Sequence, residues 1–147
     1  VSLVPLRELE SRMIEKIKRR IETITSVKRS SDSVGPVCGW RLEYETETVM
    51  IHGIPAARPA IELFLPEPDL EAEFGDLALK PQSAFRNELR KAEPGSTITF
   101  WVYPDSFALF RKLKSVAHLE GFTVAAWPRS DGESISASPN GNRSAAQ

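Results

Sequence analysis

Near the start of the chain apolar residues recur every three or four positions, at Leu6, Leu9, Met13, Ile17, Ile21 and Ile24. That spacing predicts an amphipathic helix with one continuous apolar face. Pro5 suits a first turn, where a missing N–H leaves nothing unsatisfied. Glu8–Arg12 and Glu15–Arg19 stand four apart with the acid first, the favourable orientation. Such a stripe can be the end of a coiled coil that oligomerises the chain, or it can pack on its own domain. Its length of about two and a half heptads does not separate the two. The polar run Ser30-Ser31-Asp32-Ser33 with Gly35-Pro36 reads as a linker, setting residues 1–30 apart as an N-terminal helix.

From Val37 the period shortens to that of strands. Val37–Tyr44 and Thr48–Ile54 flank Glu45-Thr46-Glu47 and read as a β-hairpin, and Ala60–Leu65, bounded by Pro59 and Pro66, as a third strand. Residues 62–76 carry six acids without a Lys or Arg, which reads as a solvated acidic loop. A helix is expected over 81–92, closed by Pro94-Gly95. Thr97–Tyr103 is the strongest strand candidate, β-branched and aromatic on both faces. A helix over 106–120, with Asp105 or Ser106 as its cap, leads through Gly121 to a strand over Phe122–Trp127. Strand, helix and strand in this order make a β-α-β unit. The expected fold is α+β or α/β: a mixed sheet of about five strands with two packed helices over residues 36–128. A polar C-terminal tail, residues 129–147, follows and is anchored through Ile135 and Pro139.

Charge divides the chain into a basic start (+4 over residues 1–30), an acidic middle (−7 over 31–105) and a mildly basic end (+2), for a net −1. Near-neutrality excludes a polybasic surface of the kind that drives non-specific nucleic-acid binding, so no nucleic-acid partner is expected. With 147 residues, 41% of them apolar, the chain can bury a substantial core, yet no apolar run approaches a bilayer span, and direct membrane insertion is not expected. A lone cysteine, Cys38, fits a reducing, cytoplasmic compartment. The chain opens on Val1 with no leader pattern after it, which reads as a piece of a longer protein.

Few residues could carry chemistry. Cys38, His52 and His118 lack the paired spacing of a zinc site, and neither a metal nor a cofactor is expected. Cys38, in a predicted strand beside Trp40, reads as a small buried thiol and not as a nucleophile. Glu43, Glu45, Glu47 and Glu62 could converge at one sheet edge, and with Asp105 they support an alternative: a metal-dependent phosphodiesterase or nuclease. The ordinary reading of alternating Glu is the wet face of a half-exposed sheet. Asp105 and Ser106, where a strand gives way to a helix, are the candidate ligand-binding residues. The basic run Lys16, Lys18, Arg19 and Arg20 reads as a solvated helix face, and Trp40, Trp101 and Trp127 as core.

The block Phe100–Phe107, with Phe110-Arg111-Lys112-Leu113, Gly121-Phe122, Trp127-Pro128 and the tail from Ser138 to Gln147, resembles the C-terminal α/β domain of a bacterial, planctomycete-type protein family of uncharacterised function. In that family the domain follows a coiled coil, and no catalytic residue is assigned to the motifs. The resemblance covers residues 97–147 well and 36–65 loosely. It implies a tethered domain, with the Leu6–Ile24 stripe as the end of the coiled coil. The expectation is therefore a non-enzymatic protein-interaction or scaffold module, displayed or oligomerised by its N-terminal helix.

Overall fold

The computed structural model describes residues 1–21 and 29–137, and the side chains of these except at positions 20, 21 and 137. In chain order the elements are α1 (Leu6–Ile21), β1 (Arg29–Val37), β2 (Trp40–Ile51), β3 (Ile54–Pro66), α2 (Gly75–Ala78), α3 (Ala84–Lys91), β4 (Thr97–Val102), α4 (Phe107–Leu119), β5 (Thr123–Pro128) and β6 (Ile135–Ala137). The class is α+β, as the sequence predicts. Two compact units divide the chain, one built on Val4–Leu70 with β6, the other on Val1–Leu3 with Glu71–Glu133.

The first unit is a helix on an antiparallel sheet of order β1-β2-β3-β6. Along β2 the residues alternate. Trp40, Leu42, Tyr44 and Thr46 are buried, and Arg41, Glu43, Glu45 and Glu47 lie on the opposite, wetter face. On the buried face α1 packs across β1, β2 and β3 with Leu9, Met13 and Ile17, and Phe64 and Ile135 complete the core.

Three expectations are corrected in this unit. The turn expected at Glu45-Thr46-Glu47 does not form, because alternation runs unbroken through it and Thr46 falls in the buried row. The chain reverses instead at His52-Gly53, where φ is +50° and +79°, and likewise at Cys38-Gly39, where φ is +49° and +78°. Paired positive φ values match the right-handed strand twist in a two-residue hairpin, and glycine at the second place makes them accessible. The expected linker at Ser30–Pro36 is β1: pairing with β2 from Arg29↔Glu47 to Val37↔Trp40 outweighs the low strand propensity of Ser, Asp, Gly and Pro. An edge strand that buries only Val34 and Val37 tolerates that composition. Finally, the acidic loop begins later than expected, since Glu62 lies inside β3.

The second unit joins β4 and β5 in parallel, in register from Thr97↔Thr123 to Val102↔Pro128, through α4. The strands therefore divide into four antiparallel and two parallel, where one mixed sheet was expected. The free side of β3 is taken by β6, at Phe64↔Ile135, and Pro66 ends β3. The tail thus forms a strand at Ile135, an expected anchor; Pro139 lies outside the described residues. The core of this unit is Ala78, Phe85, Leu89, Leu113, Ala117, Phe122 and Val124. Phe100 stands between Phe85 and Phe110, with ring centroids 6.0 and 5.4 Å away. The N-terminus of α3 is fully served: the Arg86 amide donates to Ser83 Oγ (3.1 Å), and the Ala84 and Phe85 amides donate to the Glu73 carboxylate (3.0 and 3.3 Å).

Candidate functional site

The apolar stripe of α1 is spent within its own unit. Leu9 is 0% exposed and Met13 and Ile17 are buried, because the sheet beneath needs an apolar cover. Of the residues assigned an oligomerisation role, Leu6, Leu9, Met13, Ile17, Ile21 and Ile24, the three buried members cover the sheet of their own chain. Leu6 is half-buried, the Ile21 side chain is undescribed, and Ile24 lies outside the described residues.

Of the carboxylates named for the phosphodiesterase alternative, Glu43 and Glu45 line one depression, whereas Glu62 and Asp105 lie elsewhere. Glu43 and Glu45 lie on the open face of the sheet, where Arg41 Nη2 meets Glu43 at 3.1 Å and Arg29 Nε meets Glu45 at 3.8 Å. Glu47 is paired with Arg58 at 2.6 Å. Glu62 stands opposite Tyr44 in the register and so points to the other face, under α1. Asp105 belongs to the second unit, in a single 3-10 turn of Pro104–Ser106. The open face holds a shallow depression of about 370 Å3 lined by Ser31, Ser33, Glu43, Glu45, Ile61 and Leu63; Arg41 bonds Glu43, whereas Glu45 Oε2 is buried without a hydrogen bond, 3.8 Å from Arg29. Among the described residues no group of three or more His, Cys, Asp or Glu side chains is placed to hold a metal ion.

Asp105 and Ser106 do not cap α4 with their side chains. Ser106 Oγ donates to Asp105 Oδ1 at 2.9 Å, so the two candidate ligand-binding groups satisfy each other. Pro104 imposes a 3-10 turn before the helix, which displaces both residues from the capping geometry. Cys38 is exposed in the β1–β2 turn and not buried in a strand. His52 sits in the turn at the far end of the twelve-residue β2, so no Cys–His pair forms. His118 Nδ1 lies 3.2 Å from the Phe122 carbonyl, closing the end of α4. Trp40 is core, whereas Trp101 and Trp127 are half-buried neighbours across β4 and β5.

Two features escape sequence reasoning. The first is an apolar hairpin arm. Past Arg29↔Glu47, the last described pair of β1 with β2, β2 and β3 are paired from Thr48↔Ala57 to Ile51↔Ile54. At its tip Met50 is 65%, Ile51 53% and Ile54 69% exposed. Ile51 and Ile54 stand opposite each other in the register and Met50 lies on the other side of the ribbon, so one hairpin tip exposes three large apolar side chains. The signal was in the sequence: apolar runs directly flanking a His-Gly dipeptide.

The second is an acidic pair beneath α1. Glu62 is 7% exposed, and Glu10 on α1 is its charged neighbour. Burial, and then the Glu10 charge, raise the Glu62 carboxyl above the ordinary 4.5, and burial raises Glu10 as well. Asp32, by contrast, shares a register row with Tyr44 and Glu62 but has a cation: Lys16 Nζ donates to Asp32 Oδ1 at 3.0 Å and to the Ser33 carbonyl at 2.8 Å.

No family model, curated protein or solved structure matches the chain. No helix among the described residues is long and apolar enough to cross a membrane.

Proposed function

We propose that the chain is a non-enzymatic protein-interaction module that associates with further copies of itself through the β2–β3 hairpin arm. The observation that carries this reading is the exposure at one hairpin tip of the cross-strand pair Ile51 and Ile54, with Met50 exposed on the ribbon's other face. Burying such side chains is worth about 1.5–3 kcal/mol each, so a few of them from each of two copies supply a useful share of an association energy. The burial of Leu9, Met13 and Ile17 over their own sheet favours the arm over the α1 stripe as the associating surface. The resemblance in residues 97–147 is compatible with a tethered module, and tethering would raise the local concentration of arms.

Light scattering over a wide concentration range, on the full chain and on a variant with Met50, Ile51 and Ile54 all replaced by serine, tests the reading. A reversible multimer in the parent and a monomer in the variant, with unchanged circular dichroism, is the expected result. A parent that stays monomeric throughout, or a multimer indifferent to the substitutions, overturns it.

A further inference from the structure

The hairpin arm has two faces of different chemistry. On the open face, strand alternation and the register of β2 with β3 set three rows from the tip downwards: Ile51↔Ile54, Val49↔Ala56 and Glu47↔Arg58. Ile51 and Ile54 are exposed, and Val49 and Ala56 are half-buried. Arg58 meets Glu47 Oε1 through Nε and Nη2, both at 2.6 Å, and with 56% of its side chain exposed it stays accessible to a second chain. Arg29 shares this row, opposite Glu47 on β1, and turns to Glu45 at 3.8 Å. The other face carries Met50 and Pro55 at the tip and then Thr48 and Ala57, and it leads down to the side of the sheet that α1 covers.

We propose that two copies lay the open faces of their arms together about a two-fold axis running along the ribbon, with Ile51 against Ile54 of the second copy, Val49 against Ala56 and Glu47 against Arg58. The inference rests on the self-association proposed above and adds the face, the register and the charges that fix them. An axis along the ribbon carries β2 over β3 of the second copy, row on row, and closes the assembly at two chains. Isoleucine then meets isoleucine, and the carboxylate of each ribbon meets the guanidinium of the other.

The charged row selects this arrangement among the face-to-face ones. A two-fold axis across the ribbon at that row lays Glu47 on Glu47 and Arg58 on Arg58, a stack of like charges. An axis across the ribbon nearer the tip sets the ion pair on the isoleucines or leaves it without a facing row. Along the ribbon, each Glu47–Arg58 pair gains a neighbour of opposite sign at both ends, and the four groups form a square of alternating charge. The next row down, Glu45↔Ile61, would set a carboxylate on an apolar side chain, so the contact ends above it, where ribbon twist carries the two faces apart. Burial of the isoleucines drives the contact, and the charges fix its register.

Sedimentation of the full chain at low salt, with circular dichroism to confirm folding, tests the arrangement. Glu47→Arg on both copies puts four cations in the square, and Arg58→Glu puts four anions there. Each variant alone is expected to weaken self-association by about tenfold or more, and an equimolar mixture of the two to recover it as a mixed dimer. Ala56→Arg and Ala57→Arg, neighbours on opposite faces of β3, read the face: the first should weaken association by about tenfold or more, the second should leave it within about twofold of the parent. Should a charge reversal fail to fold, this second pair decides. A parent that associates while the reversals change nothing overturns this arrangement alone, as does a mixture that fails to recover or a loss with Ala57→Arg as large as with Ala56→Arg. A parent that stays monomeric removes the self-association reading itself, and this inference with it.

Discussion

Replacing Leu9 by alanine separates a helix that covers its own sheet from one that joins chains together. The side chain is 0% exposed and Leu9 Cδ2 lies close over the backbone at Gly35. Deleting its three outer carbons forfeits about 0.8 kcal/mol each in transfer energy, near 2.4 in all, and the residual cavity raises the range for such changes to about 2–5 kcal/mol. Alanine returns only a few tenths through its helix propensity. A net loss of about 2–4 kcal/mol is expected, a large part of the 5–15 kcal/mol typical of a domain. Ile14→Ala on the same helix is the control: the side chain is 46% exposed, and its loss should cost under about 1 kcal/mol. The assay is urea unfolding followed by the fluorescence of the buried Trp40, in a chain whose Trp101 and Trp127 are replaced by phenylalanine, over a range of protein concentrations. Two results would refute the reasoning: Leu9→Ala within about 0.5 kcal/mol of its parent, or an unfolding midpoint that climbs with protein concentration until Leu9→Ala removes the climb.

Further substitutions examine the local arguments. Gly35 has φ +109°, and a Cβ there would meet the Trp40 carbonyl oxygen at 2.9 Å and Leu9 Cδ2 at 3.3 Å, so Gly35→Ala should cost at least about 1–3 kcal/mol. Gly53, at φ +79° with open space around it, should lose only about 1 kcal/mol on the same change; urea midpoints giving the reverse order would contradict this account. Ser83 Oγ both receives the Arg86 amide and donates to the Ala78 carbonyl at 2.8 Å, so Ser83→Ala should destabilise the second unit by about 1–2 kcal/mol. Thermal unfolding followed by circular dichroism checks it, and an unchanged midpoint would show that the cap is dispensable.

From α3 onward the elements of the second unit were legible to within a few residues, whereas α2 was not, its start having been read as acidic loop. Local signals agree there: Pro94-Gly95 after α3, the β-branched and aromatic run of β4, and Gly121 closing α4. Proline and glycine act on the backbone within a few residues, so their effect is readable in one dimension. In the first unit the same method mistook β1 for a linker and cut β2 in two. β1 is strand only because β2 offers it a partner, and Thr46 is buried only because α1 lies above it.

The candidate sites follow the same division. That Leu9, Met13 and Ile17 form one apolar face is a property of helical period and needed no structure. Which surface that face meets depends on the sheet that the chain folds beside it, and here the sheet is its own. The glutamates alternate along β2 by the period of a strand, but only the register with β3 turns Glu62 to the face opposite Glu43 and Glu45. Glu10, far from Glu62 in the chain, becomes its neighbour only when α1 docks. Periodicity and turn chemistry are local and belong to the sequence; burial, charge pairing and exposure are sums over residues distant in the chain, and only the packed structure assigns them.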